Sequence, residues 1–169
     1  MSSFQLKTQD ESETKALGFH IAQDVLNLKK EVLSVLFLSG ELGAGKTVFT
    51  KGLMEGLGYK GVVKSPTFSI VDIYEINNFT VFHFDLFRIK SPVELLEIGI
   101  EEYLEKKESL CIFEWPEKAE QLLPFPDLKI HIKLAEVEEK NSRILKFMTK
   151  LDLKTLRQNL DTNKSQNGK

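Results

Sequence analysis

Residues 35–57 read VLFLS-GELGAGKT-VFTKGLMEGL, and three patterns meet in them. Val35-Leu36-Phe37-Leu38 is a short apolar run suited to a strand buried on both faces. Gly40 to Thr47 follows the order G-x-x-x-x-G-K-[ST], with Gly40, Gly45, Lys46 and Thr47 in the required places. Such a loop aims backbone N–H groups at phosphate oxygens, sends its lysine to the β- and γ-phosphates and offers its hydroxyl to Mg²⁺. Glu41, Leu42 and Ala44 fill the variable positions, and Gly43 adds another without a Cβ. Beyond the loop, Phe49, Leu53, Met54 and Leu57 recur at helical spacing. Strand, loop and helix in this order seat an anion on a helix amino end, where free N–H groups and the dipole favour it. The stretch therefore predicts an α/β domain that binds a nucleoside triphosphate with Mg²⁺. A glycine-rich turn without a ligand is the blander reading, and the flanking strand and helix argue against it.

Composition narrows the class. The 169 residues suit one domain with a single core. With 41% hydrophobic and 28% charged residues, the chain matches ordinary soluble globular proteins. A net charge of −2 provides no general field for nucleic acid or an anionic membrane. The apolar run around Val32 to Leu38 is too short to span a bilayer. The beginning MSSFQLKTQDESE lacks the layout of a signal peptide. Cys111 is the one cysteine, which excludes an internal disulfide and suits a reducing compartment. These features predict a cytoplasmic protein with no membrane partner.

Outward from the loop, the pattern predicts a strand at Phe4 to Lys7 and a helix to about Leu28, with Leu17, Ile21, Val25 and Leu28 on one stripe. Thr8 with Glu11, or Asp10 with Glu13, offers its start. Val32 to Ser39 is the strand feeding the loop. Phe68–Ile76 and Phe79–Leu86 flank the turn signal Asn77-Asn78 and predict an antiparallel hairpin, with His83 and Asp85 on one face. Ser91-Pro92 starts a helix reaching about Glu105. Leu110 to Glu114 is a buried strand ending in an acid, and Pro116 to Leu123 a short helical piece. Leu128–Val137 and Arg143–Leu151 form a second hairpin. The expected fold is α/β: a P-loop NTPase-like mixed sheet flanked by helices, with an antiparallel hairpin inserted and another at the C-terminal end. Residues 1–153 make one domain, and 154–169 a polar, flexible tail.

Hydrolysis of a triphosphate requires neutralised phosphate charge, a metal held by an acid and an oriented water. Glu114 closes the uninterrupted run Leu110-Cys111-Ile112-Phe113, so it is assigned with Thr47 to the metal. Asp85 closes Val81-Phe82-His83-Phe84 and is placed on the water or γ-phosphate side. The reverse assignment stays open. His83 is either a satisfied half-buried residue or, beside Asp85, a group that orients that carboxylate or contacts phosphate or metal ligands indirectly. Arg88 either answers charge on the γ-phosphate or pairs on the surface. Ser65-Pro66-Thr67 is a switch segment through Thr67, or an ordinary turn. Trp115 is core packing, or a flat face for a base or a partner.

Taken together, GELGAGKT, Lys64-Ser65-Pro66-Thr67-Phe68, His83-Phe84-Asp85-Leu86-Phe87-Arg88 and Glu114-Trp115-Pro116-Glu117 resemble the TsaE family from about Glu11 to about Phe147. The family comprises small P-loop ATPases of tRNA threonylcarbamoyladenosine (t6A) biosynthesis. The resemblance implies a role in modifying adenosine 37 of tRNAs that read ANN codons, with ATP and Mg²⁺ as ligands. It implies that the TsaB–TsaD complex is the partner and that tRNA is met only through that complex. It also implies that Lys46 and Thr47 hold phosphates and metal, that Asp85 and Glu114 are needed for hydrolysis, that Trp115 lies near the nucleotide, and that the segment at Glu11 and Ser12 covers the base. Many members carry Tyr where Phe87 stands. Two other readings of the loop remain: a small-molecule kinase, disfavoured by the scattered arginines Arg88, Arg143 and Arg157, and a nucleotide-dependent binding module.

Overall fold

The structure, a computed structural model, describes residues 2–27, 34–135 and 141–149. Its elements run β1 (Ser2–Thr8), α1 (Glu11–Asn27), β2 (Val35–Ser39), α2 (Lys46–Gly56), β3 (Val71–Ile76), β4 (Phe79–Asp85), α3 (Val93–Glu97), α4 (Ile100–Glu105), β5 (Ser109–Glu114), β6 (Leu128–Leu134) and β7 (Arg143–Thr149). The strands form one sheet in the order β1-β7-β6-β2-β5-β4-β3. Strand β2 lies between β5 and β6, parallel to both. The hairpin β3–β4 extends one side through a parallel β4–β5 pairing. On the other side, β6, β7 and β1 pair antiparallel. This is the mixed sheet with two hairpins that the pattern predicts.

Alternation along the strands builds two cores. Leu36, Leu38, Val81, Leu110 and Ile112 join α1, α2 and the inner residues of β6 and β7 on one face. Val35, Phe37, Phe82, Phe84, Cys111 and Phe113 pack with α3 and α4 on the other. Helices α1 and α2 meet at backbone distance: a Cβ on Gly52 would lie 1.8 Å from the carbonyl oxygen of Lys15, and one on Gly18 2.3 Å from that of Phe49. Those glycines read as weak helix positions by propensity; the close crossing is what requires them.

Of the two possible starts for α1, the Asp10–Glu13 pair forms. Asp10 Oδ1 accepts the Glu13 N–H at 2.8 Å, so one orphan donor of the first turn is satisfied, and Glu13 Oε2 accepts the Gln9 N–H just ahead of the helix at 2.8 Å. The continuous helix expected from Pro92 to Glu105 is instead two short helices. Gly99 takes a left-handed conformation (φ 72°) between them. In an unbroken helix Leu95 and Ile100 would point about 140° apart; the break lets both bury in the same core. Likewise Phe68 to Ile70 form a turn rather than the start of β3, closed by the Ile70 N–H on the Pro66 carbonyl at 2.9 Å. The helical piece after Pro116 is two 3-10 turns, Pro116–Lys118 and Glu120–Leu122. The polar tail expected over 154–169 lies outside the described residues, as do Leu28, Val32, Val137, Leu151 and the Val25 side chain.

No helix among the described residues is long and apolar enough to cross a membrane.

Candidate nucleotide-binding site

The loop leaves the carboxyl end of β2 at the middle of the sheet and enters α2 at Lys46. Gly45 holds φ 110°, a conformation L-residues rarely adopt, and no side chain caps the helix start. The N–H groups of that turn thus face outward from an uncapped helix end, a ready anion site. Gly40 shares a positive φ (137°) and is closed by packing as well: a Cβ there would lie 2.0 Å from the Ile132 carbonyl oxygen of β6.

Lys46 is 5% exposed, and its Nζ donates to the carbonyls of Gly40 at 2.7 Å and Glu41 at 2.9 Å. The ammonium also lies 3.9 Å from the centre of the Trp115 ring. Burial lowers its pKa, against the opposing pull of Glu114, Asp85 and Glu117. A desolvated cation ringed by acids is suited to an anionic ligand, which would return the charge compensation that water gives elsewhere.

Parallel pairing sets Asp85 opposite Glu114 at the ends of β4 and β5, and Leu38 opposite Glu114 at the end of β2. Both acids are buried, and their environments differ. Glu114 Oε1 accepts from the Thr47 hydroxyl at 3.2 Å, and lies 2.9 Å from His83 Nε2. The hydroxyl and the carboxylate assigned to the metal are therefore neighbours. Asp85 instead ties down the Ser65-Pro66-Thr67 segment: its Oδ2 accepts from Thr67 Oγ1 at 3.1 Å and from Ser65 Oγ, and its Oδ1 from the Phe87 N–H at 2.9 Å. Of the readings offered for His83, orienting Asp85 is not the one found: its hydrogen bond goes to Glu114. The two-residue period does place both on one face, but the imidazole reaches across to β5 rather than along β4.

Trp115 follows Glu114 in a left-handed conformation (φ 59°), which turns its ring over Lys46 and against Phe87, with ring centres 5.0 Å apart. It is half-buried. Arg88 lies over the Phe68 ring at 4.3 Å. Leu42 at the loop tip and Phe68 are 74% and 87% exposed, so an apolar rim borders the site.

Glu11, in the first turn of α1, accepts from Arg143 Nη2 at 3.2 Å. Arg143 is the residue that sequence reasoning missed. It enters from β7, is 6% exposed, and donates through Nη1 to the Asn141 carbonyl. Its Nε is buried with no hydrogen-bond partner among the described residues, and a Cβ on Gly45 would lie 3.7 Å from it. Its place at the head of an alternating strand carried no sign of this; only the buried, half-satisfied guanidinium beside the loop reveals it.

The donor set suits Mg²⁺. That ion takes one or two protein oxygens, keeps waters and shares phosphate oxygens. Thr47 and Glu114 supply such a pair, and no cluster of three or more His, Cys, Asp or Glu residues able to hold a metal occurs among the described residues.

A glycine loop between a central parallel strand and a helix, with lysine and threonine at the helix start and a buried acid on the adjacent strand, defines a P-loop nucleotide-binding protein. The comparisons narrow that class. The family model for "Threonylcarbamoyl adenosine biosynthesis protein TsaE" matches residues 8–144. The tRNA threonylcarbamoyladenosine biosynthesis protein TsaE of Haemophilus influenzae is 39% identical over 132 residues, covering 78% of this chain and 83% of that protein. The protein of the same name from Bacillus subtilis is 38% identical over 140 residues, covering 83% and 84%. The crystal structure of Bacillus subtilis YdiB matches with a TM-score of 0.72 at 28% identity, over 96% of this chain and 97% of that one. The chain belongs to the TsaE family.

Proposed function

We propose that the chain is an ATPase of tRNA threonylcarbamoyladenosine biosynthesis, binding ATP and Mg²⁺ at residues 40–47 and working on the TsaB–TsaD complex rather than on RNA directly. The observation that carries the reading is the Thr47 hydroxyl 3.2 Å from Glu114 Oε1 at the mouth of the loop. Mg²⁺, when bound, neutralises phosphate charge and orients the oxygens around it. Thr47 and Glu114 would hold it.

The remaining work falls to the chain's own groups. The N–H groups of residues 43–47 and the Lys46 ammonium bind the phosphates, and Arg143 offers its unpartnered Nε–H beside Gly45. Trp115 shields Lys46 from water on one side. Asp85 accepts from Thr67 and so holds the switch segment where the γ-phosphate side of the site is expected. Glu11, 67% exposed, leaves the α1 end open to cover a base. The apolar rim at Leu42 and Phe68 fits docking on a protein partner, and the net charge of −2 fits indirect contact with tRNA.

The test is ATP hydrolysis by the purified protein with and without TsaB–TsaD, in Mg²⁺ and in excess chelator. Hydrolysis should need Mg²⁺ and rise with the pair. If the pair neither binds the protein nor changes its turnover, the partner reading fails. If Glu114→Gln abolishes hydrolysis while cells keep t6A, the site works as a nucleotide-dependent binding module instead.

A further inference from the structure

His83 is 0% exposed and sits inside the site, and the nucleotide-binding reading leaves its role open. Its Nε2 lies 2.9 Å from Glu114 Oε1, and its Nδ1 is buried with no hydrogen-bond partner among the described residues. A phenylalanine or leucine could fill that space without leaving a polar atom unmet, so packing alone does not account for an imidazole here. The pairing also sets the tautomer. A proton on Nε2 has the carboxylate as its acceptor, whereas a proton on Nδ1 would be a buried donor with none.

We propose that His83 is a positioning residue for the metal site: its Nε2–H holds Glu114 Oε1, fixes the rotation of the carboxylate and leaves Oε2 as the oxygen presented to a divalent cation beside Thr47. Three features carry this. The pair is dry, with Glu114 2% exposed, so the bond is not diluted by water. Thr47 Oγ1 lies 3.2 Å from Oε1 and only 3.5 Å from Oε2, so Oε2 is the less engaged oxygen. Strand pairing also sets both backbones in register, His83 opposite Ile112 and Asp85 opposite Glu114, so the two side chains start from fixed positions on neighbouring strands. The inference rests on the reading of Glu114 and Thr47 as the Mg²⁺ holders.

The experiment follows Trp115 fluorescence while a non-hydrolysable ATP analogue is bound at graded Mg²⁺. His83→Leu, which fills the space without a donor, should raise the Mg²⁺ needed for half-saturation about 10- to 100-fold, the usual cost of removing a group that orients a metal ligand. Binding without Mg²⁺ should stay within about twofold, because the metal-free contacts lie elsewhere. His83→Gln, with an amide donor near the Nε2 position, should recover most of the Mg²⁺ response. Equal behaviour of the Leu and Gln variants, with the Mg²⁺ response of the unmodified protein, overturns the proposal. Glu114→Gln separates it from the reading beneath: no Mg²⁺ shift there sinks the metal assignment itself, while a shift there and none at His83 sinks only the positioning role. Should the variants fail to fold, nitrogen NMR of the unmodified protein decides. Among the 3 histidines, the His83 ring must carry its proton on Nε2, and an Nδ1-protonated ring overturns the proposal.

Discussion

The two faces of the sheet are built from the same strands and do opposite work. On β4, Val81, His83 and Asp85 point to the α1–α2 side, while Phe82 and Phe84 point to α3 and α4. On β5, Ile112 and Glu114 alternate in the same way with Cys111 and Phe113. The α3–α4 face is almost wholly apolar and closed by stacked rings, with Phe84 and Phe113 centres 4.6 Å apart. The α1–α2 face is mostly apolar beneath the helices, where Thr14 and Thr50 are also buried, and is most polar at the strand ends, where Lys46, Thr47, Asp85 and Glu114 converge. The difference teaches that one face holds the strands at their spacing so that the other can keep buried charges a fixed distance apart. Burying Lys46, Asp85 and Glu114 is unfavourable on its own, and a rigid apolar layer behind them offsets that cost.

Predictions can break that division. The largest effect is expected behind the site. Phe84→Ala removes a side chain that is 0% exposed and should cost about 3–5 kcal/mol in denaturant unfolding. The folded fraction should still show the Trp115 response to nucleotide; loss of that response without loss of stability would mean that the faces are not separable.

Lys46→Met reverses the pattern. ATP turnover should fall by about 100-fold, the range for removing one preorganised charge donor. Stability should hold or rise, because burial already disfavours the charged amine: its lowered pKa means that the folded state binds that proton less readily than the unfolded chain does. A clear drop in melting temperature would show that the ammonium supports the fold through Gly40 and Glu41.

Gly52→Ala tests the seat of α2. Its new Cβ would meet the Lys15 carbonyl 1.8 Å away, so α1 and α2 must separate, at about 1–3 kcal/mol by thermal unfolding. Because α2 carries Lys46 and Thr47, nucleotide affinity should fall with it; unchanged affinity would uncouple the helix crossing from the loop.

The smallest effect is at Cys111. Burial pushes its thiol up to about 12, so a thiol reagent at pH 8 should leave the native protein unmodified and label one thiol after unfolding. In the unfolded chain that thiol ionises near an ordinary value of about 8.5, so its contribution to stability is full below that pH and declines as pH rises toward 12. Fast labelling of the native protein would show that the α3–α4 face opens.

Much of this arrangement is legible in the residues. The phosphate loop, its strand and helix, both hairpins and the two strand-end acids follow from local spacing, since strand and helix periods are properties of neighbouring residues. Three features are not. The break at Gly99 depends on Leu95 and Ile100 sharing one core, so it answers to a surface made by β4 and β5. The bond from His83 to Glu114 depends on which strand pairs beside β4. Arg143 reaches Gly45 only because β7 lies next to β6, and nothing near position 143 refers to the loop.

By itself, then, the sequence determined the chemistry on offer: a phosphate cradle, a lysine, a hydroxyl and two acids at strand ends, each placed by a pattern a few residues long. Tertiary structure alone decided the partnerships. Asp85 went to Ser65 and Thr67, Glu114 to Thr47 and His83, and Arg143 to Glu11 and the loop. The physical reason is that a strand's own period sets which face a side chain takes, while sheet order and register set what it meets there.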